Sequence, residues 1–548
     1  MRLSLPGARR AAAVGLALAA GTAAALFYLH DDIPADALVL SYSSDSADWD
    51  VRSEGFTRAG RLVTGTLLRT TSRGQTQPYV AAELEQDPNA PTDWLVTLNP
   101  DRPRFSDGSQ VTADDVAASV LAVADKDGPS PLAGVFAAGG FRGAEVVSPT
   151  VVRVRFAAVW APARAYLGEE VGVWPRAVLD QLRDDKDAFG GDRALKLVGC
   201  GPYRLVKYRA KKVAVFDPVA GGERLGVRFQ KPDAAATDMK AGRVDFVYAN
   251  PSLQPLFRRV PGVTVVEYDY WEPITVAQNL APGTPTGDHA ALREAVVWVV
   301  DAEAVRTQVA SPAAEGQPAG TGTLPAAGKL FAAAHDRFNA PDAATLAAGF
   351  DPARARAALD RAGFALRDGR RHDPAGNPLR LRLVSHRSID EYPSVCDRLA
   401  AVLRHHLGVE VEVKLLPAED EFTDFLARSG PGTWDLFVGE YPYRALADPS
   451  LAQSVSSQAV PPGGRNFPRL TLPAVDAAVA EADRTSDPGA RAAAFHRLHR
   501  ELLRANVVKP LYFARDAWCV SPRVAADAAD PNIKRTLERF PETLRLRR

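Results

Sequence analysis

The sequence predicts an α/β protein made of several domains. Segments rich in β-branched residues alternate with segments that carry a helical apolar stripe, which is typical of α/β folds. The chain has 548 residues, which is enough for about three structural units of ~100–200 residues each. Hydrophobic residues make up 46% and charged residues 24%, so a disordered, collagen-like or coiled-coil chain is excluded.

The predicted strands are marked by β-formers or by alternation, and they are 37–42, 92–98, 151–156, 263–268, 409–415 and 434–438. The predicted helices are 291–309, 352–362, 397–407 and 419–429. The helix over 352–362 has Asp351 as its N-cap and Gly363 just past its end, which is the expected asymmetry of helix termini. The Pro- and Gly-rich stretch 311–328 is predicted to be a long loop.

The charge balance argues against a nucleic-acid partner. Basic and acidic residues both number 66, so the chain has no net positive field that would attract a polyanion. Its three cysteines, Cys200, Cys396 and Cys519, are too few for a disulfide scaffold and lack the paired spacing of a zinc site.

The first thirty residues are predicted to be a signal peptide or a signal anchor. Three arginines precede the uncharged apolar run 11–29, and acidic residues follow it. Ala23 and Ala25 offer an A-x-A cleavage site, but the run is also long enough to stay in the cytoplasmic membrane as an anchor. Either way the rest of the chain is expected outside the cytoplasm, in the periplasm or on the outer face of the cell membrane. No cysteine follows closely, so lipid attachment through an N-terminal cysteine is excluded.

No motif predicts catalysis, a metal or a cofactor. The stretch 322–329 resembles a phosphate loop only superficially, because its spacing is wrong by one residue and Leu330 replaces the magnesium-binding hydroxyl. There is no G-x-S-x-G nucleophile motif. Two histidine pairs are expected to lie on the surface rather than to bind a metal, namely His405 with His406 and His496 with His499. The protein is therefore not expected to be an enzyme.

A turn and a helix start stand out in the segment 105–116 (FSDGSQVTADDV). Asp107 and Gly108 predict the turn, and Thr112 predicts the N-cap of the helix. Asp115 occupies the capping-box position, where its negative charge also suits the first helical turn.

This segment resembles the signature of the family 5 extracellular solute-binding proteins, the oligopeptide- and dipeptide-binding components of ABC importers. Further segments resemble the family in the same order, namely 199–205 (GCGPYRL), 241–246 (AGRVDF), Asn279 with 293–301, 351–363 and, more loosely, 434–449. Some positions depart from the family pattern, as with Cys200 for threonine, Gln278 for phenylalanine, and Val299 and Ala358. The matches span about two thirds of the mature chain.

The resemblance implies a two-lobed periplasmic-binding-protein type II fold with an extra small domain (cluster C type). Domain I would comprise 34–58, 195–270 and 505–548, domain II 59–194, and domain III, the second lobe, 271–504. A peptide or another small solute would bind between the lobes, which would close around it and present it to the permease subunits of an ABC importer.

Two other functions stay open at this stage. An envelope protein with the same fold could regulate cell-envelope synthesis instead of transport, since the N-terminal segment can serve as an anchor. An extracellular hydrolase is a weaker alternative, because no nucleophile motif supports it.

The resemblance also implies candidate ligand-binding residues, and they are Trp271, Glu440, Tyr441, Tyr443, Arg444 and Asp448. In the family's peptide binders, an aspartate after a Gly-Trp pair holds the peptide's amino terminus. The two possible registers put Arg444 or Tyr443 at that position, although Glu440 or Asp448 could substitute. We therefore expect a neutral or acidic solute rather than free peptide N-termini. Alternatively, the aromatic residues pack beneath a loop and Arg444 is solvated.

The same mapping places Cys200 and Cys519 in domain I, where they could form a disulfide, and leaves Cys396 free in the second lobe. Three unpaired buried thiols are the alternative.

Overall fold

The computed structural model describes most of the chain after residue 32. The described ranges are 33–43, 49–52, 58–70, 76–251, 253–310, 323–347, 349–389, 391–430, 432–442, 451–461, 464–485, 487–525 and 544–547. The export segment predicted over 1–30 lies outside them. Among the helices in these ranges, none is long and apolar enough to cross a membrane.

The strands, in chain order, are β1 (Leu38–Tyr42), β2 (Gly65–Thr66), β3 (Leu68–Thr70), β4 (Thr76–Pro78), β5 (Ala81–Asp87), β6 (Ala90–Leu98), β7 (Phe141–Ser148), β8 (Val151–Phe156), β9 (Gly172–Val173), β10 (Tyr203–Arg209), β11 (Val213–Pro218), β12 (Leu225–Phe229), β13 (Phe246–Ala249), β14 (Thr264–Gln278), β15 (Thr323–Pro325), β16 (Leu366–Arg367), β17 (Arg370–Arg371), β18 (Arg380–His386), β19 (Glu410–Leu416), β20 (Leu436–Glu440) and β21 (Val508–Val520).

The helices are α1 (Ala113–Ala124), α2 (Ala133–Ala138), α3 (Ala163–Ala165), α4 (Arg176–Asp184), α5 (Pro232–Lys240), α6 (Gln254–Arg258), α7 (Pro285–Asp288), α8 (Ala290–Val299), α9 (Ala302–Ala310), α10 (Ala343–Leu346), α11 (Pro352–Arg361), α12 (Glu391–Leu407), α13 (Glu419–Arg428), α14 (Ala452–Val455), α15 (Pro473–Arg484) and α16 (Pro488–Arg504). Short 3₁₀ turns cover Arg58–Val63, Gly191–Lys196, Ala333–Phe338 and Ser457–Ala459, and a π turn covers Tyr166–Glu170.

One large mixed sheet runs through both lobes. Its strand order is β10-β11-β12-β1-β13-β21-β14-β20-β18-β19, and β15 pairs with β21 at one side. Strands β1 and β10–β13 belong to the first lobe, and β18–β20 belong to the second. The long strands β14 and β21, of 15 and 13 residues, pair with each other and extend into both lobes. We call β14 and β21 the connecting strands.

A separate small domain contains the antiparallel sheet β5-β6-β8-β7, which packs against α1 and encloses its own core. It adjoins the first lobe, where the Ser106 N–H donates to the Gly199 carbonyl at 2.9 Å. This arrangement is compatible with the predicted domain division, whose boundaries stay a prediction.

The predicted helix start at Thr112 is confirmed. The Thr112 side chain accepts a hydrogen bond from the Asp115 N–H, and the Asp115 carboxylate accepts one from the Thr112 N–H at 2.9 Å. The second oxygen of Asp115 accepts the N–H of Arg176 at 2.9 Å. The capping box therefore also fixes α4 against α1.

Two sequence predictions of local structure are wrong. The helix predicted over 291–309 is two helices, because Val300 is extended and the Asp301 carboxylate accepts the Ala304 N–H, which caps a new helix. The loop predicted over 311–328 contains β15, which pairs with β21. Residues 311–322 lie outside the described ranges.

The disulfide suggested for Cys200 and Cys519 is not formed, and the alternative of three unpaired buried thiols is confirmed. All three cysteines are free and buried, and each lies in a different hydrophobic core. Cys200 belongs to the core of the small domain, where its thiol contacts the Val173 carbonyl at 3.4 Å. Cys519 belongs to the first lobe and Cys396 to the second. Burial raises the pKa of each thiol to about 12, so all three are unreactive in the folded protein.

His499 is buried, which corrects its assignment to the surface. Its Nδ1 accepts the Ala340 N–H at 3.0 Å, so Nε2 carries the proton and donates to the Gly328 carbonyl at 2.9 Å. Burial lowers the pKa of His499 to about 4, and the neutral ring therefore serves as a bridge between two loops.

Candidate ligand cleft

Acidic side chains gather at one edge of the second lobe's sheet. Strands β18, β19 and β20 run parallel, so their carboxyl ends meet at the same edge. Glu440 ends β20, Glu391 begins the helix after β18, and Glu419 begins the helix after β19. Small-molecule sites in α/β proteins lie at this edge, which makes it the candidate site.

At this edge, one residue from each of β20, β14 and β21 forms a row across the sheet. The three residues are Glu440, Ile274 and Tyr512. Ile274 of β14 pairs with Glu440 on one side and with Tyr512 on the other. Residues directly opposite in neighbouring strands project from the same face of the sheet. Ile274 and Tyr512 share a hydrophobic core with Tyr392, the second residue of α12. Glu440 is therefore directed toward the two tyrosines.

Tyr512 is fully buried in this row, and its hydroxyl has no hydrogen-bond partner among the described residues. Burial raises the pKa of Tyr512 far above its usual value, and the negative charges of Glu391, Glu440 and Asp516 add to this effect. A buried hydroxyl without a partner is costly, so it is a candidate contact for a bound molecule.

The carboxyl group of Glu440 at this edge has an altered pKa. Its burial, followed by the negative charge of Glu419, raises its pKa to about 8. The charge of Glu272 on β14 raises it further, while the Tyr392 hydroxyl opposes the shift. A carboxyl group with this pKa is mostly protonated at neutral pH, so Glu440 avoids the cost of a buried negative charge.

The first lobe contributes another acid through β21. Asp516 lies four residues after Tyr512 and is almost fully buried. Its carboxylate accepts a hydrogen bond from the Tyr248 hydroxyl at 2.7 Å. Tyr248 comes from β13, next to β21 in the first lobe. Each lobe thus places one acid and one tyrosine on or beside the connecting strands. They are Glu440 and Tyr512 in the second lobe and Asp516 and Tyr248 in the first.

Among the sequence-predicted site residues, Glu440 lies at this edge. Tyr441 follows it but projects from the opposite face, where its ring is buried and its hydroxyl donates to the Ser454 carbonyl at 2.6 Å. The backbone of Trp271 lies in β14 between two paired segments of the connecting strands. Its side chain, and all of Tyr443, Arg444 and Asp448, lie outside the described residues.

Sequence reasoning missed Glu272, Glu391, Tyr392 and Tyr512. Glu391 and Tyr392 could have been found, because the carboxyl end of a strand predicted over 380–386 would have directed attention to them. Tyr512 carried no such signal, since the buried connecting strand β21 had not been predicted.

The small domain also contacts the second lobe at a place away from the connecting strands. The Ala161 N–H of the small domain donates to the Asp483 carbonyl at 2.6 Å, and the Trp160 indole N–H donates to the Asp483 carboxylate at 3.3 Å. Trp160 is 2% exposed and stacks on Tyr166, with ring centroids 5.3 Å apart. We call Trp160, Ala161 and Asp483 the cross-lobe contact. It joins the small domain to the second lobe on this side of the cleft.

Two packing elements support the same contact. Helix α2 of the small domain packs against the 3₁₀ turn Ser457–Ala459 and against α14 of the second lobe. Helix α14 holds the Ser454 carbonyl that binds Tyr441, the residue after Glu440. The carboxyl edge of the second lobe is therefore tied to the segment that meets the small domain.

A sequence profile described as bacterial extracellular solute-binding proteins, family 5 middle, matches residues 75–460. The chain belongs to this family. Its members are solute-binding proteins rather than enzymes, and the predicted relationship and two-lobed fold are confirmed. No curated protein sequence matches the chain.

Solved structures share the fold at low sequence identity. AppA from Bacillus subtilis, in complex with a nonapeptide, has a TM-score of 0.78 at 14% identity, covering 93% of this chain and 99% of its own. The murein tripeptide-binding protein MppA from Escherichia coli has a TM-score of 0.75 at 19% identity, with 93% and 98% covered. NikZ from Campylobacter jejuni, in complex with Ni(L-His), has a TM-score of 0.73 at 19% identity, with 93% and 100% covered. Within the described residues, no group of three or more His, Cys, Asp or Glu side chains is arranged to hold a metal ion.

Proposed function

We propose that this protein captures a peptide or another small solute between its two lobes and delivers it to the permease subunits of an ABC importer. The observation that carries the proposal is the meeting of the carboxyl edge of β18–β20 with the connecting strands, where Glu440 and Tyr512 flank Ile274 on one face of the sheet. Membership of the solute-binding family supports it.

A peptide is the first ligand class to test. AppA was solved with a nonapeptide, and MppA is a murein tripeptide-binding protein. NikZ was solved with a nickel–histidine complex, so the same fold accommodates other small solutes. The choice within these classes for this chain follows from its own cleft residues.

Binding and release would follow from a hinge motion. The connecting strands would bend, and the cross-lobe contact would form when the lobes close. A solute that touches both lobes binds the closed form better and so shifts the population toward it. The permease would then receive the closed, loaded form. No chemical step is needed, and we propose that the protein has no enzymatic activity.

The proposed location is outside the cytoplasm, with residues 1–30 as the export signal. Retention in the cytoplasmic membrane through 11–29 is part of the same proposal. A regulator of cell-envelope synthesis with this fold is not favoured, because no feature of the described residues points specifically to that role.

The proposal is tested by purifying the exported protein and analysing what it carries by native mass spectrometry. We expect one solute molecule per chain, and we expect calorimetry on the stripped and refolded protein to restore binding of that solute with 1:1 stoichiometry. Loss of cellular uptake of the same solute on gene deletion would connect binding to transport. A protein that carries no solute, and whose melting temperature is unchanged by a broad panel of peptides, amino acids and sugars, would contradict the proposal.

A further inference from the structure

We propose a second ligand site on the small domain, separate from the cleft between the lobes. The site is a cavity beside the edge strand β5. Its ligand is a short free peptide that binds in extended form and carries basic side chains at alternate positions. All residues that line the cavity come from 68–85 and from Arg164, so the inference goes beyond the proposed function and does not depend on lobe closure.

Two strands with free edges line the cavity. Strand β4 pairs only with β3, and β5 is the outer strand of the sheet β5-β6-β8-β7. The link between them is paired as far as Ala81, whose N–H donates to the Leu67 carbonyl at 3.0 Å. Beyond Ala81, β5 pairs only with β6 among the described strands. An edge of this kind can accept an extended peptide as an additional strand.

The cavity is large enough for a small ligand. Its volume is about 370 Å³, and pockets for small molecules have about 300–1,000 Å³. Its buried lining residues are apolar, since Leu68 and Leu84 are 3% and 5% exposed and belong to the small-domain core. Its charged lining residues, Glu83, Glu85 and Arg164, are exposed. The cavity therefore offers both apolar contact and charge to a ligand.

The spacing of the two glutamates matches an extended peptide. Glu83 and Glu85 are two residues apart in a regular stretch of β5, so their side chains project from the same face. A peptide that pairs with β5 would present its own alternate side chains beside them. Opposite charges on neighbouring strands stabilise the pairing, so lysine or arginine at alternate positions of the peptide fits this edge.

Arg164 contributes a positive charge from α3, a distant part of the chain. It lines the same cavity as Glu83 and Glu85, but within the described residues none of these three side chains is in an ion pair. A guanidinium binds a carboxylate through two parallel hydrogen bonds. We assign Arg164 to the C-terminal carboxylate of the peptide, while the two glutamates bind its basic side chains.

Charged residues on an edge strand also have a simpler role, because they prevent pairing with other copies of the chain. That role explains Glu83 and Glu85 alone. It requires neither a cavity at the same place nor an arginine of the opposite sign in that cavity. The combination of these features favours a ligand.

The experiment is calorimetry on the full exported chain as purified, so that any solute stays in the cleft. The probes are acetyl-Lys-Val-Lys-Val, acetyl-Glu-Val-Glu-Val and the C-terminal amide of the first. The variants are Glu83→Gln/Glu85→Gln and Arg164→Gln. Their matched controls are Asp101→Asn/Asp127→Asn and Arg142→Gln, which remove the same charges at exposed small-domain positions that do not line the cavity.

We expect the basic peptide to bind about tenfold more tightly than the acidic one, because only the basic peptide pairs with the glutamates. Glu83→Gln/Glu85→Gln should weaken its binding by about three- to tenfold, and both controls should leave it unchanged. Amidation should weaken binding to the wild type by about threefold but should have no effect on Arg164→Gln. Circular-dichroism melting verifies that each variant is folded.

Equal binding of the basic and acidic peptides, or full affinity in the folded Glu83→Gln/Glu85→Gln variant, would overturn the inference. An equal loss in Asp101→Asn/Asp127→Asn would also overturn it, because the peptide would then respond to the overall charge of the small domain. So would the absence of any binding of the basic peptide. None of these results concerns the solute in the cleft, so the proposed function would stand.

Discussion

The lobes meet at the connecting strands and again at the cross-lobe contact, and the two junctions differ in strength. The connecting strands share a ladder that runs from the Thr264–Val520 pair to the Ala277–Val508 pair. The cross-lobe contact consists of two hydrogen bonds to Asp483, next to the packing of α2 against α14 and against the turn Ser457–Ala459. At a net ~0.5–1.5 kcal/mol each, these bonds can break while the ladder persists. This difference agrees with the proposed hinge at the connecting strands and with a closure that can reverse.

The ladder of the connecting strands is itself interrupted where the solute is proposed to bind. Its register shifts between Asp269 and Pro273 and again between Ile274 and Thr275. Such bulges bend strands and increase their local twist. Ile274 lies beside Glu440 and Tyr512, so the candidate site and the bend coincide.

The largest effect is expected at the hinge. Leu511 lies between the paired residues of the second register shift and is 1% exposed in the second lobe's core. Leu511→Ala should lower the free energy of unfolding by about 2–5 kcal/mol, because it leaves a cavity. Urea denaturation measures this. Leu366→Ala, at a 54% exposed leucine, is the control and should change it by less than ~0.5 kcal/mol. Equal effects of the two substitutions would contradict a rigid hinge core.

A pH effect on stability is also expected at the hinge. The folded pKa of Glu440, about 8, exceeds its usual 4.5, so its contribution to stability is present below pH 4.5 and is lost as the pH rises through 8. The free energies of unfolding of the wild type and of Glu440→Gln should therefore be most similar near pH 5. By pH 8.5 the wild type should be the less stable of the two. The other titratable groups around this carboxyl are Glu272, Glu391, Tyr392, Glu419, Tyr512, Asp516 and, against Tyr392, His386.

Because those groups are common to both proteins, the difference between the wild type and Glu440→Gln isolates the one carboxyl. A difference in unfolding free energy that stays constant from pH 5 to pH 8.5 would contradict the raised pKa.

The smallest effect is expected at the cross-lobe contact. Trp160→Phe removes the indole N–H that reaches Asp483, which should weaken solute binding by about two- to tenfold through faster release. Trp94→Phe is a matched control, because the Trp94 indole is buried in the same small domain and has no hydrogen-bond partner among the described residues. The rate of solute release, measured by stopped flow, is compared between Trp160→Phe and Trp94→Phe. A larger loss in Trp94→Phe would show that the effect comes from small-domain packing rather than closure.

The sequence predicted much of the fold but only part of the site. Strand 151–156 and the capping box at Thr112 depend on local patterns, and both appear as predicted. The break at Asp301 was missed because an apolar stripe continues through it, although the side chain caps a new helix. The site was harder, since Glu440 and Tyr512 are 72 residues apart and meet only through β14. Long-range strand pairing has no signature in a single sequence.

The most direct test of closure around a solute is a distance measurement across the cleft. Lys126→Cys in the small domain and Arg484→Cys in the second lobe place spin labels at exposed positions, and the three native thiols are buried and should not react. Electron–electron double resonance on the protein as purified should give one short, narrow distance distribution. After stripping, a longer component should appear, and the returned solute should remove it. An identical distribution in all three states would contradict capture by lobe closure.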